Sequence, residues 1–302
     1  MRDQQEKTVP HPRKQPRYDG PLTMEGLERI FSDCVDFTRR PVALEGESAC
    51  TLTMCFISGM VRMERVSDYV LKPLAEDDGL RRCATVGEAM KRMEEGALYN
   101  LSVARRSTLD QAAFDLVAGW CLLFFPGERE ALSFFVGTEE KRSVSAPDNE
   151  TVLKGARDAF VESLRTNTSI VRRHLKAPEL RIREQTVGRQ SATLVDILYI
   201  DGITDPALVD ALEEQLRDID IDGVFATGNI EEYIVPAQRT PFPLVQYTER
   251  SDRFCAGLSE GRGGMLIDGI PLGYLTPAVL GNFLQAPQDK SSSWLLATTL
   301  PL

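Results

Sequence analysis

The chain has 302 residues, enough for two ordinary domains, and its 42% hydrophobic and 26% charged residues describe a globular protein rather than a disordered or membrane-embedded one. A formal net charge of −10 argues against general affinity for nucleic acid or anionic lipid, and the basic bias of the first twenty residues is too slight to make a binding arm. The polar N-terminus has no signal-peptide core, and no stretch reaches the ~18 to 20 apolar residues of a spanning helix.

Residues 1–20 combine prolines and charges without a period and read as a flexible tail. From Met24 to Phe37 the apolar positions Leu27, Ile30, Phe31 and Val35 recur at helical spacing, with Thr23 as the N-cap. An apolar run from Thr51 to Ile57, stopped by Ser58 and Gly59, predicts a strand. Helices are expected around 62–75, 86–95 and 107–118. Two apolar runs, Cys121–Phe125 and Ala131–Val136, flank Pro126 and Gly127 and read as a hairpin. Residues 142–154 look like a hinge between a first subdomain, 21–141, and a second, 155–290, with a tail at 291–302. In the second half a long helix is expected from Ala156 to Leu175, a strand pair at Leu180–Val187 and Thr193–Ile200, and a helix from Pro206 capped by Thr204 or Asp205. A further helix over Asp252–Glu260 and a hairpin at Gly264–Asp268 and Leu272–Leu275 complete the series.

The halves share a pattern. Gly59 and Gly202 end apolar strands 143 residues apart, while Gly119 and Gly261 precede the hairpins at a spacing of 142, as do Gly127 and Gly269 within them. The expected fold is therefore α/β, with two similar subdomains whose small mixed sheets are flanked by helices.

Motifs for chemistry fail on context. Gly257 to Gly261 matches the G-x-S-x-G nucleophile elbow around Ser259, but a helix enters it and a strand leaves, the reverse of an elbow. The two histidines offer it no evident base: His11 lies in the tail, and His174 falls near a helix C-terminus, where a structural role suits it. Asp218, Asp220, Asp222 and Gly223 begin like a calcium loop, yet its twelfth position is Asn229 and its isoleucines alternate like a strand. The six cysteines have no zinc spacing and read as buried free thiols. No phosphate-binding glycine loop occurs, and no metal or cofactor is expected. Two polar clusters remain. One is Glu162, Arg165, Asn167, Arg172 and Arg173; the other is Gln246, Glu249, Arg250, Asp252 and Arg253. On residues alone they are either solvated surface or an interaction face.

Around these clusters the sequence resembles a known family. Gly155 to Asn167 with Arg172 and Arg173 is similar to the opening motif of spore germination receptor A subunits. So are Ile219 to Gly223, Pro241 to Pro243, Gln246, Thr248 to Arg250, Asp252, Arg253, Glu260 to Arg262 and Ile267 to Gly269, although Tyr247 and Ser251 stand where the family has asparagine and proline. The resemblance implies a non-enzymatic, two-subdomain N-terminal region of a nutrient germinant receptor. It would be water-soluble and face the spore core at the inner membrane, with B and C subunits as partners. An amino acid, sugar or nucleoside germinant is the possible ligand, held in a cleft between the lobes in the alternative reading. Interaction candidates from the motifs are Arg165, Asn167, Arg172, Asp222, Gly223, Pro243, Gln246, Glu249, Arg250, Asp252, Gly261, Asp268 and Gly269. The membrane helices that follow in such subunits do not occur before Leu302, so an expressed fragment, a truncated product or a frame-shifted remnant is expected.

Overall fold

The computed structural model describes residues 17–98, 102–137, 158–223 and 245–278. The expected hinge, the last dozen residues and Pro243 lie outside them. The chain divides into two compact units, Met1–Glu140 with Lys176–Pro178, and Lys141–Leu175 with Glu179–Leu302.

The first unit contains α1 (Met24–Ile30), β1 (Phe37–Leu44), β2 (Cys50–Ile57), α2 (Met63–Val66), α3 (Lys72–Glu76), α4 (Asp78–Arg81), α5 (Val86–Arg92), β3 (Val103–Arg106), α6 (Leu109–Val117), β4 (Trp120–Phe124) and β5 (Ala131–Phe135). Wider helical turns at Ser67–Leu71 and Met93–Ala97 join or extend these helices. Thr23 caps α1, its Oγ1 accepting from Gly26 N at 3.1 Å. The strands lie in the order β1-β2-β4-β5-β3. Alternation along β2 sends Leu52, Met54 and Phe56 to one face, where they pack with Val66, Leu80 and Met90. Cys55 and Ile57 point to the other, against Leu27 of α1 and Leu116 of α6.

The second unit contains α7 (Leu164–His174), β6 (Leu180–Val187), β7 (Thr193–Ile200), α8 (Pro206–Arg217), β8 (Gln246–Thr248), α9 (Ser251–Ser259), β9 (Gly263–Ile267) and β10 (Gly273–Thr276). Its strand order, β6-β7-β9-β10-β8, repeats that of the first unit strand for strand. Val195, Ile197 and Met265 pack on α8 through Leu212 and Leu216. Leu198, Ile200 and Leu266 pack on α7 and α9 through Val171 and Phe254.

The glycine spacing marked this repeat. Gly59 and Gly202 have φ of 81° and 79°, Gly119 and Gly261 88° and 89°, Gly127 and Gly269 81° and 82°. At Gly119 a Cβ would come within 2.9 Å of Met60 O, and at Gly261 within 3.1 Å of Ile203 O, so both turns require the missing side chain.

Three expectations change. Both sheets are antiparallel throughout rather than mixed. The physical reason lies in the crossovers: α6 joins β3 and β4, which run the same way, but β5 inserts between them and separates the parallel pair. The predicted helix over Met24–Phe37 stops at Ile30, and Phe37 opens edge strand β1. The helix expected from Ala156 starts at Leu164, because Ala159 pairs in an isolated bridge with Arg250 and Phe160 N donates to Glu249 O at 2.8 Å. All six cysteines are free, and all but half-buried Cys50 are buried. Burial pushes the Cys55 and Cys255 thiols up to about 12, far from a reactive thiolate.

Candidate functional site

The motif residues of the second unit meet at the two ends of α7 and along β8 and α9. At the start of α7, Ser163 is the N-cap, its Oγ accepting from Thr166 N at 3.4 Å. Asp268, in the β9–β10 turn, adds a second cap: its Oδ1 accepts from Leu164 N at 3.1 Å. Gly269 N donates to Glu162 O at 2.8 Å, tying the same turn to the segment before the helix. Asn167 is fully buried and clamps that segment from behind. Its Oδ1 accepts from Val161 N at 2.8 Å and its Nδ2 donates to Val161 O at 2.5 Å.

Further along α7, Arg172 is completely enclosed and donates from Nη1 to Leu180 O at 2.8 Å. Arg165 is half exposed and reaches two carboxylates on the neighbouring strands. It pairs with Glu184 of β6, and its Nη1 lies 3.7 Å from Asp196 Oδ2 of β7. Asp196 is wholly buried and accepts from Thr168 Oγ1 at 2.8 Å. A lone acid inside the apolar run of β7 was the available signal for this residue, which sequence reasoning missed.

The segment from β8 into α9 forms a second knot. Arg250 donates from Nε to Asp252 Oδ1 at 2.9 Å and from Nη2 to Oδ2 at 2.5 Å, a bidentate pair with the arginine buried. Desolvation pushes the Asp252 carboxyl up, but the Arg250 guanidinium, the Arg253 N–H and nearby His174 outweigh it and hold the group below its ordinary value. Ser251 Oγ donates to Asp158 O at 3.0 Å and lies 3.1 Å from His174 Nε2. His174 therefore has the structural role its helix position suggested. Gln246 Oε1 accepts from Arg262 Nη1 at 2.9 Å, while Arg262 Nη2 reaches Glu260 at 2.5 Å. Arg262, Thr248 and Glu184 were not among the expected site residues, yet they hold Gln246, Arg250 and Arg165 respectively. Glu249 contributes its backbone carbonyl to Phe160, and Gly261 supplies the turn between α9 and β9.

Asp222 and Gly223 lie apart from both knots. Ile221 O accepts from Arg189 N at 2.9 Å and Asp222 O from Gln190 N at 2.8 Å, fastening this loop onto the β6–β7 turn. The segment is not a strand; Ile219 and Ile221 simply fill the edge of the α8 core. The acids that suggested calcium already face a cation, with Arg189 Nη2 at 2.7 Å from Asp220 Oδ1. Among the described residues no cluster of three or more His, Cys, Asp or Glu side chains is placed to hold a metal. Ser259 ends α9 and donates its Oγ to Cys255 O at 3.0 Å, so it neither stands on an elbow nor meets His174.

The arrangement fits known proteins at several levels. A family model described as GerA, Bacillus/Clostridium GerA spore germination protein, matches residues 25–302. The chain belongs to the GerA spore germination family. Similar proteins from Bacillus subtilis include spore germination protein KA, 30% identical over 88% of this chain and 48% of its own length. The membrane protein YfkQ of the same organism is 30% identical over 92% of this chain and 53% of its own. The chain thus spans about half the length of these relatives. Among solved structures, the N-terminal domain of the A subunit of the Bacillus megaterium spore germinant receptor GerK3 aligns with a TM-score of 0.67 and 26% identity, covering 88% of this chain and 99% of that one. Among the described residues, no helix is long and apolar enough to cross a membrane.

Proposed function

We propose that this chain acts without catalysis as the N-terminal region of a germinant receptor A subunit, transmitting a nutrient signal through contacts with B and C subunits. It would work on the core-facing side of the spore inner membrane. The observation that carries this reading is the use made of the family motifs. Their polar side chains and glycines are engaged inside the second unit, as the Arg250–Asp252 pair, the Asn167 clamp on Val161 and the bond from Gly269 to Glu162 illustrate. Residues spent on internal hydrogen bonds build a stiff body that can pass on displacement; they do not leave a nucleophile and base facing a substrate. Co-purification of the chain with cognate B and C subunits from detergent-solubilised spore membranes tests the proposal. Retention of either subunit is expected, and loss of both, with the chain alone and with it joined to its family's membrane region, overturns it.

The solved relative is part of a germinant receptor, which motivates a second reading as a small-molecule binding module. A thermal-shift panel of amino acids, sugars and nucleosides decides it: a ligand above its dissociation constant raises the midpoint, and a flat panel removes the reading.

A further inference from the structure

The first unit carries an open cleft of about 470 Å³ whose floor is Thr51 and Thr53 of β2 with Phe124 of β4. Its walls are the start of α1, from Pro21 to Glu25, and the β4–β5 turn at Pro126. The repeat explains why it is there. Thr53 pairs with Phe124 across the sheet as Asp196 pairs with Leu266, so the floor residues have direct counterparts in the second unit. Pro126 and Gly127 correspond to Asp268 and Gly269, in turns closed by equivalent 3.2 Å bonds, Glu128 N to Phe125 O and Ile270 N to Ile267 O.

In the second unit that same position is filled by the chain itself. Leu164 is buried in the core with Leu266, its N–H bonded to Asp268; Glu162 accepts from Gly269; and Arg165 and Thr168 reach Asp196. The bridge Pro21↔Thr108 is the counterpart of Ala159↔Arg250. From Pro21 to the helix C-cap Phe31 the chain advances ten residues (21 to 31), whereas from Ala159 to the C-cap Leu175 it advances sixteen (159 to 175). The first unit therefore lacks the helical turn that its twin lays over the sheet, and α1 has seven residues where α7 has eleven.

The geometry points to a peptide-docking site: the cleft accepts one turn of a partner protein that presents a leucine-sized side chain to Thr51, Thr53 and Phe124, as Leu164 does in the twin. Glu25 and Glu128 lie on the lining with Arg129 as its single base, so a basic residue beside the apolar one, as Arg165 is beside Leu164, suits the rim. The occupant is an apolar-basic helical turn rather than an extended strand, because the walls of the cleft are a helix start and a hairpin turn rather than a free strand edge. The inference concerns the first unit and is independent of the motif framework of the second, so its failure leaves the assembly proposal standing.

The probe is a synthetic peptide with the sequence of residues 163–169, the N-cap and first turn of α7, titrated into the full chain while the amide signals of Thr51, Thr53 and Phe124 are followed by NMR. Saturable shifts at these three positions are expected. Leu164→Asp in the peptide, and Thr51→Arg in the protein, should each weaken binding at least about tenfold. Thr51 is exposed, so its replacement spares the fold; an unchanged melting midpoint verifies this, and Glu128→Lys serves as a second surface variant expected to weaken binding more modestly. No saturable shift up to millimolar peptide overturns the proposal. So does binding indifferent to Thr51→Arg, or a response of the three amides to amino acids or sugars in place of the peptide.

Discussion

Asn167 has no counterpart in ordinary helix chemistry, where an asparagine at an inward position is a defect. Here it replaces a missing turn of backbone, because Val161 bends away from the helix and presents both its N–H and its C=O to one side chain. Asn167→Ala removes both bonds from the half-buried Val161 backbone and opens a void at a fully buried position, and it is expected to destabilise the chain by about 1 to 3 kcal/mol, read from urea unfolding. Asp252 makes a different demand. Its carboxyl binds a proton less readily in the folded chain than in the unfolded one, where it titrates near ~3.9. The Arg250 pair therefore contributes stability above that range and loses it as pH falls through the lower, folded value. Asp252→Asn should be less stable at neutral pH and show a flatter acid limb in stability measured from about pH 5 down to about pH 2. An acid limb identical to that of the parent chain would place the pair's contribution elsewhere.

At the scale of elements, the two glycine turns that precede β4 and β9 set the test. Gly119 and Gly261 share φ near +90°, but a Cβ at Gly119 meets a backbone oxygen at 2.9 Å and at Gly261 at 3.1 Å. Gly119→Ala and Gly261→Ala should each lower stability by about 1 to 2 kcal/mol from the backbone conformation alone, with Gly119 the costlier of the two. Equal losses would mean that the neighbouring carbonyl moves freely. These glycines were legible before any coordinates, since a residue demanded by one turn at two places leaves its spacing in the chain. Strands β2, β6 and β7 were legible too, being apolar runs with clear stops. Edge strand β1 was not, because Arg39, Arg40 and Pro41 suit a strand with one free side and remove the apolar signal. The three- and four-residue edges β8 and β3 are too short to carry a period. The motif residues were visible as a group, but their work was not: nothing in a sequence says that Arg172 is enclosed or that Arg165 meets Asp196, since both depend on which strand lies beneath α7.

At the scale of the molecule, each unit holds its own sheet and its own pair of cores, and each has an ion pair built on a buried arginine. In the first, Arg106 donates to Asp115 at 2.7 Å with both side chains at most 9% exposed, and its guanidinium lies 6.0 Å from the Trp120 ring. Asp115→Ala strands that guanidinium and should cost about 3 to 5 kcal/mol. Followed by hydrogen exchange, the loss of protection is expected in β2, β4 and β5 and not in β7 and β9. Equal loss in both sheets would show that the units open together.

One topology written twice in a single chain poses a problem of assembly. While the polypeptide is still unfolded, β2 could recruit β9 in place of β4, and a hybrid sheet would satisfy most backbone hydrogen bonds. The buried acid on β7 works against such errors. Asp196 finds its hydroxyl donor on Thr168, while the matching place in the first unit is Thr53, beneath the open cleft that α1 leaves uncovered. Exchanging β2 and β7 would bring that carboxylate to a position without the Thr168 hydroxyl or Arg165, and desolvation would penalise the hybrid. The divergence of Asp196 from Thr53 would thus serve as a proofreading mark against two copies of one blueprint trading parts, and Asp196→Thr is expected to lower the yield of correctly refolded chain.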